Sequence, residues 1–237
     1  MIVQVDIRPV DRGLQKVLCC CLAAAALALA GCGSSSKSGV GSTESKQPPA
    51  PPKNVVDSTQ GRLGRALLTK EAAGPGWAIA KAREVAPTQL YCNRPFAGGL
   101  QPYAQAETAF RQRYGSAITQ DLWAYAGDGA QRVVDDFRTV LNSCPTWSSS
   151  PEVGRTVKYS LRPLSFAKLG DETAAGRLRV SNAFGGLVVE HSVIVVMVRR
   201  GNIVDFVTQS ANTGLFQPKS QTDALVRKAD RLLMSTR

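Results

Sequence analysis

Cys32 closes the run Leu29-Ala30-Gly31-Cys32, directly behind an apolar stretch at residues 17–30. The basic residues Arg8, Arg12 and Lys16 precede that stretch. A basic start, an apolar middle and small residues at a cut site mark a secretory signal. A cysteine immediately after the small residues makes it a bacterial lipoprotein signal. On this reading residues 1–31 are removed, the Cys32 thiol carries a diacylglycerol, and the rest of the chain folds outside the cytoplasm. The apolar stretch falls short of the roughly 20 residues that a membrane-spanning helix needs. The plainer alternative is an ordinary signal peptide, or a buried helix with a chance cysteine. Asp6 and Asp11 are unusual in the charged start. A translation start further along would leave the mature chain unchanged.

Residues 33–53 read GSSSKSGVGSTESKQPPAPPK. Glycine and serine make the first part flexible, and the proline cluster at 48–52 favours extended polyproline geometry. No apolar residue recurs there, so no core can form. The expected organisation is a lipoprotein signal at 1–31, a disordered tether at 32–58 and one folded domain at 59–237, held off a membrane by its lipid.

Export constrains the cysteines. Cys19, Cys20 and Cys21 lie in the signal, and Cys32 is acylated, which leaves Cys92 and Cys144. In an oxidising compartment two remaining cysteines are normally joined. Such a bridge would close a loop of about 53 residues and contribute roughly 4 kcal/mol on the chain-entropy model. The alternative is two separate buried thiols.

The charge is +11 over the whole chain. Without residues 1–31, 26 basic and 16 acidic residues remain, an excess of ten. An excess of that size attracts anionic headgroups or acidic polymers. Nucleic acid is excluded as a partner by export, and because the positives are scattered without interleaved aromatics.

From about residue 55 the composition is globular and long enough for one domain with a sizeable core. Residues 62–69 predict a short amphipathic helix, with Gly74-Pro75-Gly76 as a breaker after it. Strands are expected at 77–85, 105–114, 116–126, 155–161, 174–184, 187–199 and 203–210, with a loop at 87–102. The stretch Val193-Ile194-Val195-Val196-Met197-Val198 is apolar on both faces, as a central strand covered on both sides must be. Arg200-Gly201-Asn202 is hairpin chemistry. Residues 128–141 give the clearest helix, with Val133, Val134, Phe137, Val140 and Leu141 on one face and Asp128 able to cap its start. A second amphipathic helix is expected at 222–234. Hairpin-joined strands with helices at separated positions make the class α+β: an antiparallel sheet with packed helices, in a single domain.

The catalytic inventory is thin. His191 is the only histidine and lies inside a strand, where a structural role is the expectation. No Gly-x-Ser-x-Gly elbow accompanies it. Zinc would need several His or Cys ligands, and no phosphate-cradling glycine loop occurs. Asp171-Glu172 invites acid–base chemistry or cation binding; the bland reading is a turn whose acids face Arg177 or Arg179. Trp123 and Tyr125 share a strand face and line either the core or a cleft. No catalytic residue, metal or cofactor is expected.

Several motifs, in order, resemble the PknH-like extracellular domain, the sensor domain of a mycobacterial serine/threonine kinase also found in actinobacterial lipoproteins. They are Leu67-Leu68-Thr69 followed by Gly74-Pro75-Gly76-Trp77, a strand ending Trp123-Ala124-Tyr125, and a helix leading into Cys144-Pro145-Thr146-Trp147. Leu169-Gly170-Asp171-Glu172-Thr173-Ala174-Ala175 and the hairpin Val198-Arg199-Arg200-Gly201-Asn202-Ile203-Val204 continue the likeness, which covers about residues 63–233. The resemblance implies an extracytoplasmic α+β domain with a cleft for a small ligand and no enzyme activity. The chain departs from the kinase in having no kinase domain or transmembrane helix, and one disulfide where the sensor has two. The expectation is a lipid-anchored protein on the extracytoplasmic face of the cell membrane, binding or sensing a small or anionic envelope ligand. The alternative is an envelope interaction or scaffold lipoprotein without a small-molecule site.

Overall fold

The computed structural model describes residues 47–81, 90–95, 99–112, 115–152, 155–184, 187–211 and 219–236, within the compact unit Glu44–Arg237. Cys32 and the signal lie outside the described residues. Among these residues, no helix is long and apolar enough to cross a membrane.

Helix α1 spans Lys53–Arg65 and starts directly after Pro52. It begins nine residues before the amphipathic pattern at 62, so residues 53–58, read as tether, are helical. Thr59 and Leu63 are its buried residues, too few to show a helical period in the sequence. Arg62 and Arg65 occupy its last turn, where the helix dipole favours cations. The short helix α2, Lys70–Ala73, is capped by Thr69, whose Oγ1 accepts from the Ala72 amide at 3.3 Å.

Eight strands form one antiparallel sheet in the order β1-β4-β5-β10-β9-β8-β7-β6. They are β1 Ala78–Ala80, β4 Ala104–Arg111, β5 Ala117–Ala124, β6 Thr146–Glu152, β7 Arg155–Pro163, β8 Glu172–Phe184, β9 Leu187–Arg200 and β10 Ile203–Ala211. A two-residue pair, β2 Leu90–Tyr91 and β3 Arg94–Pro95, lies apart from it. The expected loop at 87–102 thus contains a small hairpin. β6 was not legible as a strand: TWSSSPE has no apolar alternation, as suits an edge strand with one neighbour and a proline.

Helices cover both faces of the sheet. Helix α3, Gly129–Ser143, buries Val133, Val134, Phe137, Val140 and Leu141 against Leu161, Ala174, Val195, Met197, Val204 and Phe206. Asp128 stands at its N-cap without a side-chain cap bond and faces Arg132 at 4.0 Å, so the expected capping does not form. On the other face α4, Lys219–Ser235, packs Leu225, Val226 and Ala229 on Ile194, Val196, Val198 and Val207. There α1 packs Leu63 beside Leu122, Ala124 and Ile203. The two-sided apolar run of β9 therefore lies inside the sheet with a helix on each side. Gly176 is needed under α3, because a Cβ there would meet Leu141 and Leu161 at 2.6 and 3.0 Å.

Cys92 and Cys144 form a disulfide across 52 positions. The bridge ties the β2–β3 hairpin to the end of α3. Tyr91 beside it packs edge-on against Phe137, with ring centroids 6.3 Å apart, and lies 6.1 Å from Trp147, which stacks on Tyr159 at 4.9 Å.

Candidate functional site

The acids that the sequence brings forward are structural. Asp171 accepts from the Gly201 amide at 2.6 Å and from Arg199 at 3.5 Å, closing the β9–β10 turn. Glu172 accepts from Arg199 at 2.7 Å and from Arg138 of α3 at 2.5 Å. Their partners are thus Arg138 and Arg199 rather than Arg177 or Arg179. Burial raises the Glu172 carboxyl, but the bonds from the two guanidiniums outweigh it and hold the group below its usual range. Gly170 enters this corner with a positive φ of 58°, where a side chain would meet the Arg199 carbonyl. His191 is half-buried on β9 opposite Val180, two strands away from β5.

Two clefts among the described residues lie elsewhere. The smaller, about 140 Å³, lies between Pro48, Ala50, Leu100, Tyr103 and Tyr125. It is below the few hundred Å³ that hold a typical organic ligand. The larger, about 390 Å³, is lined by Gln60, Leu67, Gln105, Ala106, Glu107, Asp121 and Trp123. It wraps the edge of β4. Among the described residues, β1 pairs with Ala109–Arg111 of β4, and no strand pairs with the earlier half of β4 on that side. Gln60 of α1 takes that place. Its side-chain amide accepts from the Gln105 amide at 3.0 Å and donates to the Gln105 carbonyl.

The register of β4 with β5 sets the chemistry of this cleft. Gln105 lies opposite Trp123 and Glu107 opposite Asp121, so all four project to one face. Trp123 is 3 % exposed and stacks on Phe206 with centroids 5.2 Å apart, forming a rigid floor. Glu107 is exposed at the rim. Asp121 is also 3 % exposed, and its buried Oδ2 has no hydrogen-bond partner. Burial pushes its carboxyl up to about 7, with help from the nearby charges of Glu107 and Asp205. A buried carboxyl oxygen without a donor is costly, and here it borders an open cleft.

Asp205 on β10 lies opposite Leu122 and so on the other face of the sheet. It is fully buried, and burial likewise raises it to about 7, although Gln120 donates to its Oδ1 at 3.2 Å. Gln120 in turn accepts from the Leu68 amide at 2.7 Å. Trp123 thus serves both the core and the larger cleft, and Tyr125 both the core and the smaller one, with its hydroxyl buried and unpartnered. Asp121 and Asp205 were not singled out from the sequence. The available signal was an acid inside each of two otherwise core-forming strands, ITQDLWA and IVDFV.

The larger cleft can offer acceptors, at Asp121 and Glu107, over an aromatic floor. Neither cleft is lined by an arginine, so the arginine-fixed anionic end expected of a ligand has no counterpart in them.

No protein-family model matches the chain, and no curated protein does. Among solved structures, it is similar to the extracellular domain of PknH from Mycobacterium tuberculosis, at 13 % identity and a TM-score of 0.53. That match covers 74 % of this chain and 96 % of the other. A second match is LpqN, involved in cell envelope biogenesis of Mycobacterium tuberculosis, at 14 % identity, covering 66 % of this chain and 76 % of the other, with a TM-score of 0.27. The chain therefore has the fold of the PknH extracellular domain, an antiparallel α+β sheet with helices on both faces.

Proposed function

We propose that this chain is a lipid-anchored protein of the extracytoplasmic face of the cell membrane, whose α+β domain binds a small ligand in the β4-edge cleft and does not turn it over. The lipoprotein signal ending at Cys32 supports the location, together with a fold shared with an extracellular domain. The binding reading rests on one observation: the buried, unpartnered Oδ2 of Asp121 bordering a cleft of about 390 Å³. A ligand N–H or O–H reaching that oxygen supplies the missing donor. Glu107 at the rim favours a cationic ligand over an anionic one. An amine or amino sugar with an apolar body over Trp123 fits this lining.

The test is a thermal-shift series with primary amines, amino sugars and their N-acetylated counterparts. The amines should stabilise the protein, and Asp121→Asn should abolish the shift while leaving the protein folded. Equal shifts in wild type and Asp121→Asn would remove the cleft from the account. They would favour the alternative of an envelope interaction protein, for which the sheet offers a separate basic face.

A further inference from the structure

One group of cations lies on a different part of the domain from the cleft. In the β7–β8 ladder, Lys158 is opposite Ser181, Ser160 opposite Arg179 and Arg162 opposite Arg177. Side chains opposite one another share a face, so all four cations project to one side. That side is the one on which Ala175 packs beneath α4 and away from α3. Lys158, Arg162 and Arg179 are exposed there. Around them are the hydroxyls of Thr146 and Ser148 on β6 and Ser160, Ser181 and Ser192 on neighbouring strands, placed on the same face by the register. Glu190, opposite Ser181, is the acid of this face on β9.

The same end of the sheet carries an apolar edge. Among the described residues, β10 pairs with β9 as far as Ser192, opposite Ala211. Beyond that point Leu187, Val188 and Val189 are 73, 62 and 45 % exposed; Val188, opposite Ala183, shares the face of the cations, while Leu187 and Val189 point to the other face at the strand end. Three consecutive exposed aliphatics are an unusual concentration; among the described residues, the other exposed large apolar side chains stand singly at Val55, Ile79 and Met234.

A basic shelf beside an exposed aliphatic strand end is the pairing that interfacial membrane binding uses: cations for anionic headgroups, apolar side chains for the acyl boundary. We infer that the domain docks onto an anionic bilayer through this surface, with Lys158, Arg162 and Arg179 at the headgroups and Val188, on their face of the exposed strand end, at the hydrocarbon boundary. Charge complementarity selects the anionic surface. The inference rests on the anchoring read from Cys32, because a Gly/Ser-rich stretch of some 20 residues spans roughly 25 Å. A domain held that close to a bilayer meets headgroups at high effective concentration. Each exposed cation adds to the attraction at such a surface, and the attraction fades with salt. The β4-edge cleft belongs to strands at the far side of the sheet, so docking leaves it open to ligand.

Amide hydrogen exchange on the acylated full chain in vesicles tests this directly. In phosphatidylcholine vesicles with 30 % phosphatidylglycerol at low salt, amides at 187–192 should exchange at least fivefold more slowly than in pure phosphatidylcholine vesicles. The protection should vanish in 0.5 M salt, in the double variant Lys158→Glu/Arg179→Glu and in Val188→Asp. These positions are exposed, and a melting curve of each variant verifies its fold. Equal exchange in both vesicle types, or protection that survives the charge reversal, would overturn the docking. So would protection by soluble dextran sulfate but not by the anionic vesicles, which would give the face to a polyanion instead. A chain that fails to float with either vesicle type would overturn the anchoring itself, a result separable from the others.

Discussion

Asp121 and Asp205 are the residues on which this domain departs from a purely apolar core. Each sits within a strand whose neighbours are buried, and each has an oxygen without a donor. Burial lifts both carboxyls from their ordinary value near 4 to about 7. Between those two pH values the folded chain holds a proton that the unfolded chain has released. Stability from this source is therefore full in acid and is lost as pH rises through 7. Asp205→Asn removes the titration while keeping an oxygen for Gln120. Its melting temperature should exceed that of wild type by roughly 3–6 °C at pH 8, the shift that about 1.5 kcal/mol produces in a domain of this size, and by much less at pH 5. The same measurement on Asp121→Asn should show the same direction. A substitution that destabilises equally at both pH values would mean the carboxyl is ionised in the fold.

At the scale of elements, the helices and the central hairpin were legible because their signals are local. Residues 128–141 put five apolar side chains on one face, and α3 forms there. Val193–Val198 is apolar throughout, and β9 lies between two helical layers. β6 and the start of α1 were not legible because neither buries a periodic apolar face: β6 is a serine-rich edge, and α1 touches the sheet through Thr59 and Leu63. The cleft was invisible for a different reason. Its residues come from α1, β4 and β5, and only the strand register brings Glu107 opposite Asp121. The acids that sequence did bring forward, Asp171 and Glu172, instead fasten the β9–β10 turn to α3. A similar fastening holds α4. Arg200 reaches Asp230 through two bonds, at 2.5 and 2.8 Å, and these bonds raise the guanidinium above its usual range against the opposing effect of burial. Asp230→Ala should lower stability by roughly 1–3 kcal/mol, because it leaves Arg200 without its charge partner. Chemical denaturation checks this, and a loss below about 0.5 kcal/mol would show the pair to be ornamental.

Over the whole molecule, one basic group and the carboxylates of the cleft lie apart. The cations of β7 and β8 project from one end of the sheet, while the carboxylates of the cleft lie on β4 and β5 at the other. A domain so arranged can face anionic lipid with one end and take a donor-bearing ligand at the other. The net charge alone pointed to an anionic ligand; the fold places the cations of β7 and β8 and the cleft apart. Anchoring governs whether either surface works in its setting. Cys32→Ala should leave unprocessed precursor or release the protein, read by fractionation and intact mass. Membrane fractionation of the variant at mature mass would refute the lipid anchor.

The central claim is that the Asp121 cleft holds a ligand without changing it. Native mass spectrometry of the acylated protein taken from its own membranes measures this most directly. The account predicts one retained small molecule of fixed mass in wild type, bearing an amine or other donor, unchanged after prolonged incubation and lost in Asp121→Asn. Retention at the same mass and occupancy in Asp121→Asn would contradict it, as would conversion of the molecule to a new mass on incubation.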